Sequence, residues 1–209
     1  MHRRVKIILM VAVVLAAFAA GGGWAWVTYR PFLLARSSDP ADRLEAVRLL
    51  RDRRSGDGRE ALNHLLTSDG DLRVAVNAAR ALGADPSGEA RALLASAAEN
   101  HDSDTVRGVA MGQLGRFKAT DPSILIEALR DAAQAVRSGA AEGLGHLADP
   151  AGLPALLEAL NDPVLGVRVR AFDAVKAIAD AKADYHPGAP SAERARAIAA
   201  LRAELAGPR

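Results

Sequence analysis

The side chains that most often carry metal-binding chemistry are present in this sequence, but they are not spaced for it. The five histidines are scattered along the chain: His2, His64, His101, His146 and His186. No His-Glu-x-x-His pattern places two imidazoles one helical turn apart, as a zinc site needs. The chain also has no cysteine, which excludes thiolate metal sites and thiol nucleophiles. The sequence therefore predicts no metal site.

Patterns for nucleophilic catalysis and nucleotide binding are missing as well. No Gly-x-Ser-x-Gly turn presents a serine nucleophile, and no Gly-x-x-x-x-Gly-Lys loop is present to cradle phosphates. The glycine run Gly21–Gly23 lies inside an apolar segment rather than after a strand. We therefore predict no catalytic residue, no cofactor and no small-molecule substrate.

Charge is distributed unevenly along the chain. The formal net charge is +2, but residues 1–30 contain Arg3, Arg4, Lys6 and Arg30 and no acidic residue. Without these four cations the remainder carries a charge of about −2. Binding to nucleic acid needs a surplus of lysine and arginine that displaces counterions from phosphates. We expect no nucleic-acid partner.

An uncharged segment runs from Ile7 to Tyr29. As a helix it would be roughly 34 Å long, enough to cross a hydrocarbon layer of about 30 Å. Trp24, Trp26 and Tyr29 cluster at its end, where aromatic rings settle at the headgroup level. The sequence therefore predicts a cytoplasmic basic tail at residues 1–6, a transmembrane helix at residues 7–29 and a juxtamembrane linker at residues 30–36.

The basic residues before the segment predict its orientation, because lysine and arginine remain preferentially on the cytoplasmic side. The body of the protein is then expected outside the cytoplasm, in the periplasm or the extracellular space, as part of a single-pass protein of the cell membrane. The alternative is a cleaved signal peptide and a secreted protein, since Ala17-Phe18-Ala19 resembles a small-residue cleavage site. Apolar sequence continues past that site to Val27, which favours the anchor.

A unit of 30 to 32 residues repeats through the body. Its anchors are apolar residues near the end of a second helix: Leu50, Leu82, Leu114, Leu144 and Val175. Alanine stands four residues before every anchor and arginine stands seven before four of them. Valine stands eight before the last four anchors. Offsets of eight, four and zero share one face of a helix, which predicts a buried stripe.

Polar and glycine residues mark the ends of the predicted helices. Aspartate or histidine occurs thirteen residues before the last four anchors, at Asp69, His101, Asp131 and Asp162, and is expected to cap the second helix. Gly83, Gly115 and Gly145 follow their leucines directly, a pattern typical of left-handed C-terminal caps. Asp-Pro pairs then open each next helix. Each unit is thus predicted to be a helical hairpin that must stack on its neighbours to bury its apolar face.

The segment Asp131–Gly145 and its counterpart Asp162–Val175 resemble HEAT repeats, particularly the short bacterial HEAT-like type. The resemblance covers roughly residues 37–180. It implies an all-α fold, a right-handed α-α superhelix preceded by one transmembrane helix, with about five hairpins over residues 37–183. Residues 184–209 are expected to form a loop and a helix from Ser191 that caps the stack.

The same resemblance implies a ladder of aspartate and arginine side chains between adjacent repeats, at Asp131, Arg137, Asp162 and Arg168. Ala75 and His101 depart from the pattern, so the ladder is expected to be interrupted near the second and third units. These residues are assigned an architectural role.

Residues two and five before each anchor avoid the buried stripe and are expected to line one wall of the stack. The predicted partner-binding ridge comprises Asn77, Arg80, Val109, Glu142, Arg170 and Asp173. Stacked hairpins offer such a row to an extended peptide or a partner domain. For each residue alone an ordinary solvent position is the favoured interpretation, and only the row as a whole supports binding.

The sequence thus predicts a membrane-anchored, non-catalytic scaffold or assembly factor at the bacterial cell envelope that binds an unidentified protein or peptide. Two alternatives follow from analogy: a chromophore-lyase-like HEAT protein, and a regulatory subunit of a membrane enzyme. The predicted export argues against the lyase, because the substrates of such lyases are intracellular.

Overall fold

The computed structural model describes residues 23–179 and 184–206, with side chains from Trp26 onward. Its described residues form helices and connecting loops and contain no strand. In chain order the helices are α1 (Gly23–Leu34), α2 (Pro40–Leu50), α3 (Gly56–Ser68), α4 (Leu72–Leu82), α5 (Gly88–Asn100), α6 (Asp104–Leu114), α7 (Pro122–Ala128), α8 (Gln134–Leu147), a 3-10 turn (Pro150–Gly152), α9 (Leu153–Ala159), α10 (Leu165–Ala179) and α11 (Ser191–Ala206).

The chain divides into two compact units, Met1–Ala81 and Leu82–Arg209. In the first unit α1 packs along α2, and α2 packs on α3. Helix α1 is therefore the first helix of the first hairpin. The predicted boundary at residue 37 and the predicted linker at residues 30–36 differ from this, because α1 continues to Leu34 and both Pro31 and Ala35 are buried.

The predicted membrane span mostly precedes the described residues, since residues 7–22 are not among them. None of the described helices combines the length and the hydrophobicity that a bilayer crossing requires.

In the second unit the first and second helices of each hairpin pack together, as α5 with α6, α7 with α8 and α9 with α10. The second helices also pack on one another in sequence, α6 on α8 and α8 on α10. This is the predicted stacking of hairpins, and within the second unit it is confirmed. Each hairpin buries its apolar face against the next one.

The predicted buried stripe is also confirmed. On α8, Val136, Ala140 and Leu144 are at most 2% exposed. The corresponding valine, alanine and anchor residues of α4, α6 and α10 are equally buried. Alanine in the middle of the stripe lets neighbouring helices approach, while leucine and valine at either side fill the space between them.

The predicted glycine caps are wrong. Gly115 ends α6 with φ −61° and ψ −15°, which is right-handed backbone, and Gly145 lies inside α8. The left-handed residue after α8 is Ala148, with φ 57°. The glycines are required instead for close packing: a Cβ on Gly115 would overlap the backbone of Gly143, and a Cβ on Gly145 would lie 3.2 Å from Ala174.

The C-terminal segment forms the predicted loop and helix. Tyr185 of the loop is buried, donates a hydrogen bond from its hydroxyl to the Leu160 carbonyl and packs its ring 5.0 Å from that of Phe172. Ile198 and Leu201 of α11 are buried. The loop therefore follows α10 where another hairpin would otherwise stack.

Candidate partner-binding face

Helices α6 and α8 approach each other through glycines. A Cβ on Gly108 would overlap the Ala135 carbonyl, and a Cβ on Gly139 would overlap the carbonyl of Gly108. Because the obstacle is backbone in both cases, no side-chain movement could relieve it. The contact therefore fixes the position of α8 against α6, and with it the position of the side chains that α8 carries.

Glu142 lies at the centre of the surface that this packing creates. Its Cδ would be 3.6 Å from a Cβ on Gly112 of α6. On the other side, its Oε2 lies 3.6 Å from Nη1 of Arg170 on α10. The Glu142 carboxylate thus joins α8 to α10, on the side of α8 that lies near Gly112 of α6. With side chains 34% and 53% exposed, the Glu142–Arg170 pair is worth at most about 1 kcal/mol and can be exchanged for a partner's charges.

His146 extends this surface by one helical turn along α8. Its Nδ1 lies 3.2 Å from the Gly112 carbonyl oxygen, and because a carbonyl only accepts, Nδ1 is the donor. The ring is exposed. Sequence reasoning left His146 among the scattered histidines, although its position four residues after Glu142 places it on the same side of the helix.

Val109 on α6 and Asp173 on α10 complete the surface, because they lie three residues from Gly112 and Arg170 respectively. Val109 is half-buried and Asp173 is exposed. Asp173 pairs with Lys176 at 3.1 Å, and the Lys176 ammonium also lies 4.8 Å from the Phe172 ring centroid. We refer to Val109, Glu142, His146, Arg170 and Asp173 as the second-helix face.

The structure brings together only part of the predicted ridge. Val109, Glu142, Arg170 and Asp173 share the second-helix face. Two neighbouring positions of the same row, Gly112 and Gly139, are buried between α6 and α8, so the row is interrupted there rather than continuously exposed.

The other two ridge residues belong to the first unit, on α4. Asn77 is half-buried, and its Nδ2 donates to the Arg73 carbonyl at 2.7 Å. Arg80 is exposed.

The repeated arginine holds the loop between the two helices of its own hairpin. Arg137 donates from Nη1 to the Asp131 and Ala132 carbonyls at 2.8 and 3.0 Å. Equivalent pairs of bonds to the carbonyls six and five residues earlier occur at Arg43, Arg107 and Arg168. No local sequence pattern predicts these hydrogen bonds, because their acceptors are backbone carbonyl oxygens.

The remaining guanidinium nitrogens reach the next hairpin at some positions of the expected ladder. Nε and Nη2 of Arg137 donate to Asp162 at 2.7 and 3.2 Å, and these hydrogen bonds raise the pKa of Arg137. In the first unit, Arg43 donates to both carboxylate oxygens of Asp69 at 2.6 and 2.9 Å. Arg168 instead donates from Nε to the Pro187 carbonyl of the C-terminal loop.

The aspartates thirteen residues before each anchor do not cap the second helix as predicted. Asp131 accepts a hydrogen bond from the Ala133 N–H at 2.7 Å, and Asp162 accepts one from Val164 at 2.8 Å. Each therefore closes a turn just before its helix. His101 does the same with a ring nitrogen, since its Nδ1 accepts from the Ser103 N–H at 3.0 Å.

Elsewhere in the second unit, open grooves lie between neighbouring first helices and beside the C-terminal helix. One of about 540 Å³ lies between α9 and α11 and is lined mainly by Leu157, Ala195, Ile198 and Ala199. Another, of about 200 Å³, lies between α5 and α7. In the part of the chain that the structure describes, no group of three histidine or acidic residues could hold a metal ion.

Comparison with known proteins gives a family and several structural likenesses. The sequence profile of HEAT repeats matches residues 32–121 and 122–186, which is more than half of the chain. No curated protein matches the chain in sequence.

Among solved structures, the chain is similar to an engineered protein, with 23% sequence identity and a TM-score of 0.45. The likeness covers 81% of the present chain and 84% of the engineered protein. It is also similar to a second engineered protein, with 23% identity, 80% of this chain and 50% of that one covered, and a TM-score of 0.42. A designed armadillo repeat protein, solved in complex with the peptide (KR)4, has 18% identity, coverage of 79% and 85%, and a TM-score of 0.45.

The matched profile and the repeated helical hairpins lead to one conclusion: this chain belongs to the HEAT-repeat family.

Proposed function

We propose that this protein is a non-catalytic scaffold that binds a segment of another polypeptide on the second-helix face. HEAT-repeat proteins generally serve protein interaction, and stacked hairpins present a row of side chains to a partner. The observation that carries the proposal is the partly exposed Glu142, which pairs with Arg170 of α10 at 3.6 Å on the side of α8 that lies near Gly112 of α6. A partner that engages Glu142 and Arg170 thereby engages two neighbouring hairpins at once.

The chemistry of this face suits a polypeptide that carries both charges. Glu142 and Asp173 accept hydrogen bonds, while Arg170 donates them; the Nδ1–H of His146 is already bonded to the Gly112 carbonyl. The ion pairs that occupy these groups are partly exposed, so breaking them costs little and a partner's side chains can replace them. A binding segment would exchange one set of weak pairs for another, which favours selectivity over tight affinity.

We further propose that residues 7–29 anchor the scaffold in the cell membrane and that the repeats are exported. The uncharged run from Ile7, the basic residues before it and the aromatic residues at its end support this proposal. Alkaline phosphatase fused after residue 209 tests the orientation, because the enzyme is active only outside the cytoplasm. A stable but inactive fusion would reject export.

Charge reversal at Arg170 tests the binding face. We expect Arg170→Glu to abolish crosslinking of a protein partner in intact membranes, because it places repelling carboxylates at the centre of the face. The matched control is Arg130→Glu, which breaks another exposed ion pair between hairpins, Arg130–Glu158 at 3.4 Å. Equal capture by both variants, with unchanged helical circular dichroism, would reject the proposed face.

A further inference from the structure

Helix α1 unites the end of the uncharged segment with the first hairpin. Its N-terminal part belongs to the run Ile7–Tyr29, and it exposes Trp26 by 42% and Val27 by 66%. Its C-terminal part packs along α2, with Pro31 buried. From Gly23 to Leu34 the helix has no break, so within the described residues no flexible linker separates the end of the uncharged run from the repeats.

Arg53 holds α1 against the first hairpin at the point where α1 lacks a backbone hydrogen bond. Pro31 has no N–H, so the carbonyl of Val27, four residues earlier, loses its helical donor. Arg53 supplies the replacement, with Nη2 donating to the Val27 carbonyl at 2.5 Å and Nη1 to the Thr28 carbonyl at 2.6 Å. The loop between α2 and α3 is thereby held beside residues 27 and 28 of α1.

The position of this loop along α1 matches a membrane interface. Trp26 and Tyr29 flank the two carbonyls that Arg53 binds, and tryptophan and tyrosine concentrate at the headgroup level. Arg51 and Arg54 of the same loop are exposed. Guanidinium groups bind phosphate oxygens in bidentate geometry. Asp52 and Asp57 are also exposed, so the attraction depends on the arginines lying nearer to the headgroups than the carboxylates do.

We propose that the first hairpin docks directly on the bilayer surface, with Arg51 and Arg54 on anionic lipid headgroups and Trp26 at the interface. This inference rests on the proposed membrane anchor, and it adds that the anchor is rigidly coupled to the repeats. The occupant of the surface formed by Trp26, Val27, Arg51 and Arg54 is the headgroup layer of an anionic membrane. A scaffold held in this way presents its first hairpin at a fixed height above the lipid.

The chain offers a matched pair of label sites to test this. It contains no cysteine, and a Cβ at Gly56 or at Gly70 meets nothing within 4 Å. Gly56 begins α3 beside the arginine loop, and Gly70 follows the other end of α3, a helix about 20 Å long. The full-length Gly56→Cys and Gly70→Cys proteins, each carrying a fluorophore, are reconstituted in vesicles containing headgroup spin-labelled lipid.

We expect several-fold stronger quenching at position 56 than at position 70 in vesicles of phosphatidylcholine with phosphatidylglycerol. The difference should fall in phosphatidylcholine alone, and also in the Arg51→Gln, Arg54→Gln variant. Equal quenching at both positions would overturn the docking. A difference in quenching that stays the same in phosphatidylcholine alone and in the Arg51→Gln, Arg54→Gln variant would overturn it as well. Alkaline carbonate extraction of the same vesicles tests the anchor separately: release of the chain would reject the anchor, whatever the quenching shows.

Discussion

At the scale of single residues, one arginine in each of four hairpins joins two structural tasks. Its Nη1 binds the two carbonyls of the preceding loop. The other nitrogens of Arg43, Arg137 and Arg168 bind the segment that follows the hairpin, whereas Nη2 of Arg107 binds Asp104 of its own helix. Arg137 has both sets of bonds, and its side chain and that of Asp162 are only 13% and 8% exposed. A largely buried guanidinium with four of its five N–H donors bonded stabilises the junction between two hairpins, because each lost bond would leave a largely buried polar group unpaired.

Arg137→Lys should therefore destabilise the protein substantially. An ammonium cannot reproduce the forked geometry, and we expect the free energy of unfolding to fall by roughly 2–3 kcal/mol. The control is Arg170→Lys, which alters an exposed pair between the same two hairpins and should cost at most about 1 kcal/mol. Urea unfolding followed by circular dichroism measures both; similar losses would contradict the assigned role of Arg137.

Ionisation of Tyr185 is expected to lower the folding stability of the protein at alkaline pH. Burial raises the pKa of its hydroxyl, because the phenolate would be formed away from water. Because the pKa is higher in the folded state, the contribution of the neutral hydroxyl to folding stability is complete below the pKa of an unfolded tyrosine, about 10. This contribution is lost as the pH rises through the pKa of the folded state.

Tyr185→Phe tests this by removing the hydrogen bond to Leu160 while keeping the ring beside Phe172. At neutral pH we expect the variant to be about 1–2 kcal/mol less stable. Above pH of about 10 the wild type should lose stability more steeply than the variant. Unfolding curves recorded at both pH values provide the measurement, and parallel losses in the two proteins would count against a buried hydroxyl.

The sequence predicted some of these residues and contacts but not others. The family resemblance pointed to Arg137 and Asp162, whose types and spacing repeat. It could not show that Arg137 also binds its own loop, because carbonyl acceptors leave no trace in the residue types. The sequence assigned the aspartates to helix caps, whereas they close a turn just before the helix. Aspartate is favoured in both positions, so the residue type does not distinguish them.

At the scale of the helices, glycine determines how closely neighbouring hairpins pack. Gly108 and Gly139 face each other where α6 and α8 meet. For Gly115, which also packs against α8, the sequence suggested a different reason, a left-handed cap, since glycine suits both left-handed backbone and close approach. Only the packing of α6 on α8 decides between the two. The buried Val-Ala-Leu stripe, by contrast, was predictable because its spacing follows helical geometry.

Gly139→Ala should disrupt the contact between α6 and α8. Its Cβ would overlap the Gly108 carbonyl, and we expect a cost of about 3 kcal/mol or more, at the upper end for overpacking, because backbone must move. Gly166→Ala on α10 is the control: its Cβ meets nothing within 4 Å, so alanine should stabilise the helix by about 0.5–1 kcal/mol. Thermal unfolding separates them, and a neutral Gly139→Ala would refute the close packing.

At the scale of the whole molecule, the HEAT repeats bring side chains of successive second helices onto one surface. The fold class followed from the 30- to 32-residue spacing and the resemblance to HEAT repeats, because stacking is the way such hairpins bury their apolar faces. The superhelix handedness, the membrane anchor and the exported location stay predictions. The partner could not be predicted, since binding specificity lies in exposed positions such as Asp173 that neither packing nor periodicity constrains.

Site-specific photocrosslinking in cells tests the binding face most directly. A photoreactive amino acid replaces Val109 or Asp173 on the second-helix face, and Ile124 or Glu127, both exposed on α7, serve as controls on a first helix. We predict that positions 109 and 173 form the same protein adduct and that positions 124 and 127 do not. An adduct formed equally at all four positions, or only at the two on α7, would contradict the account.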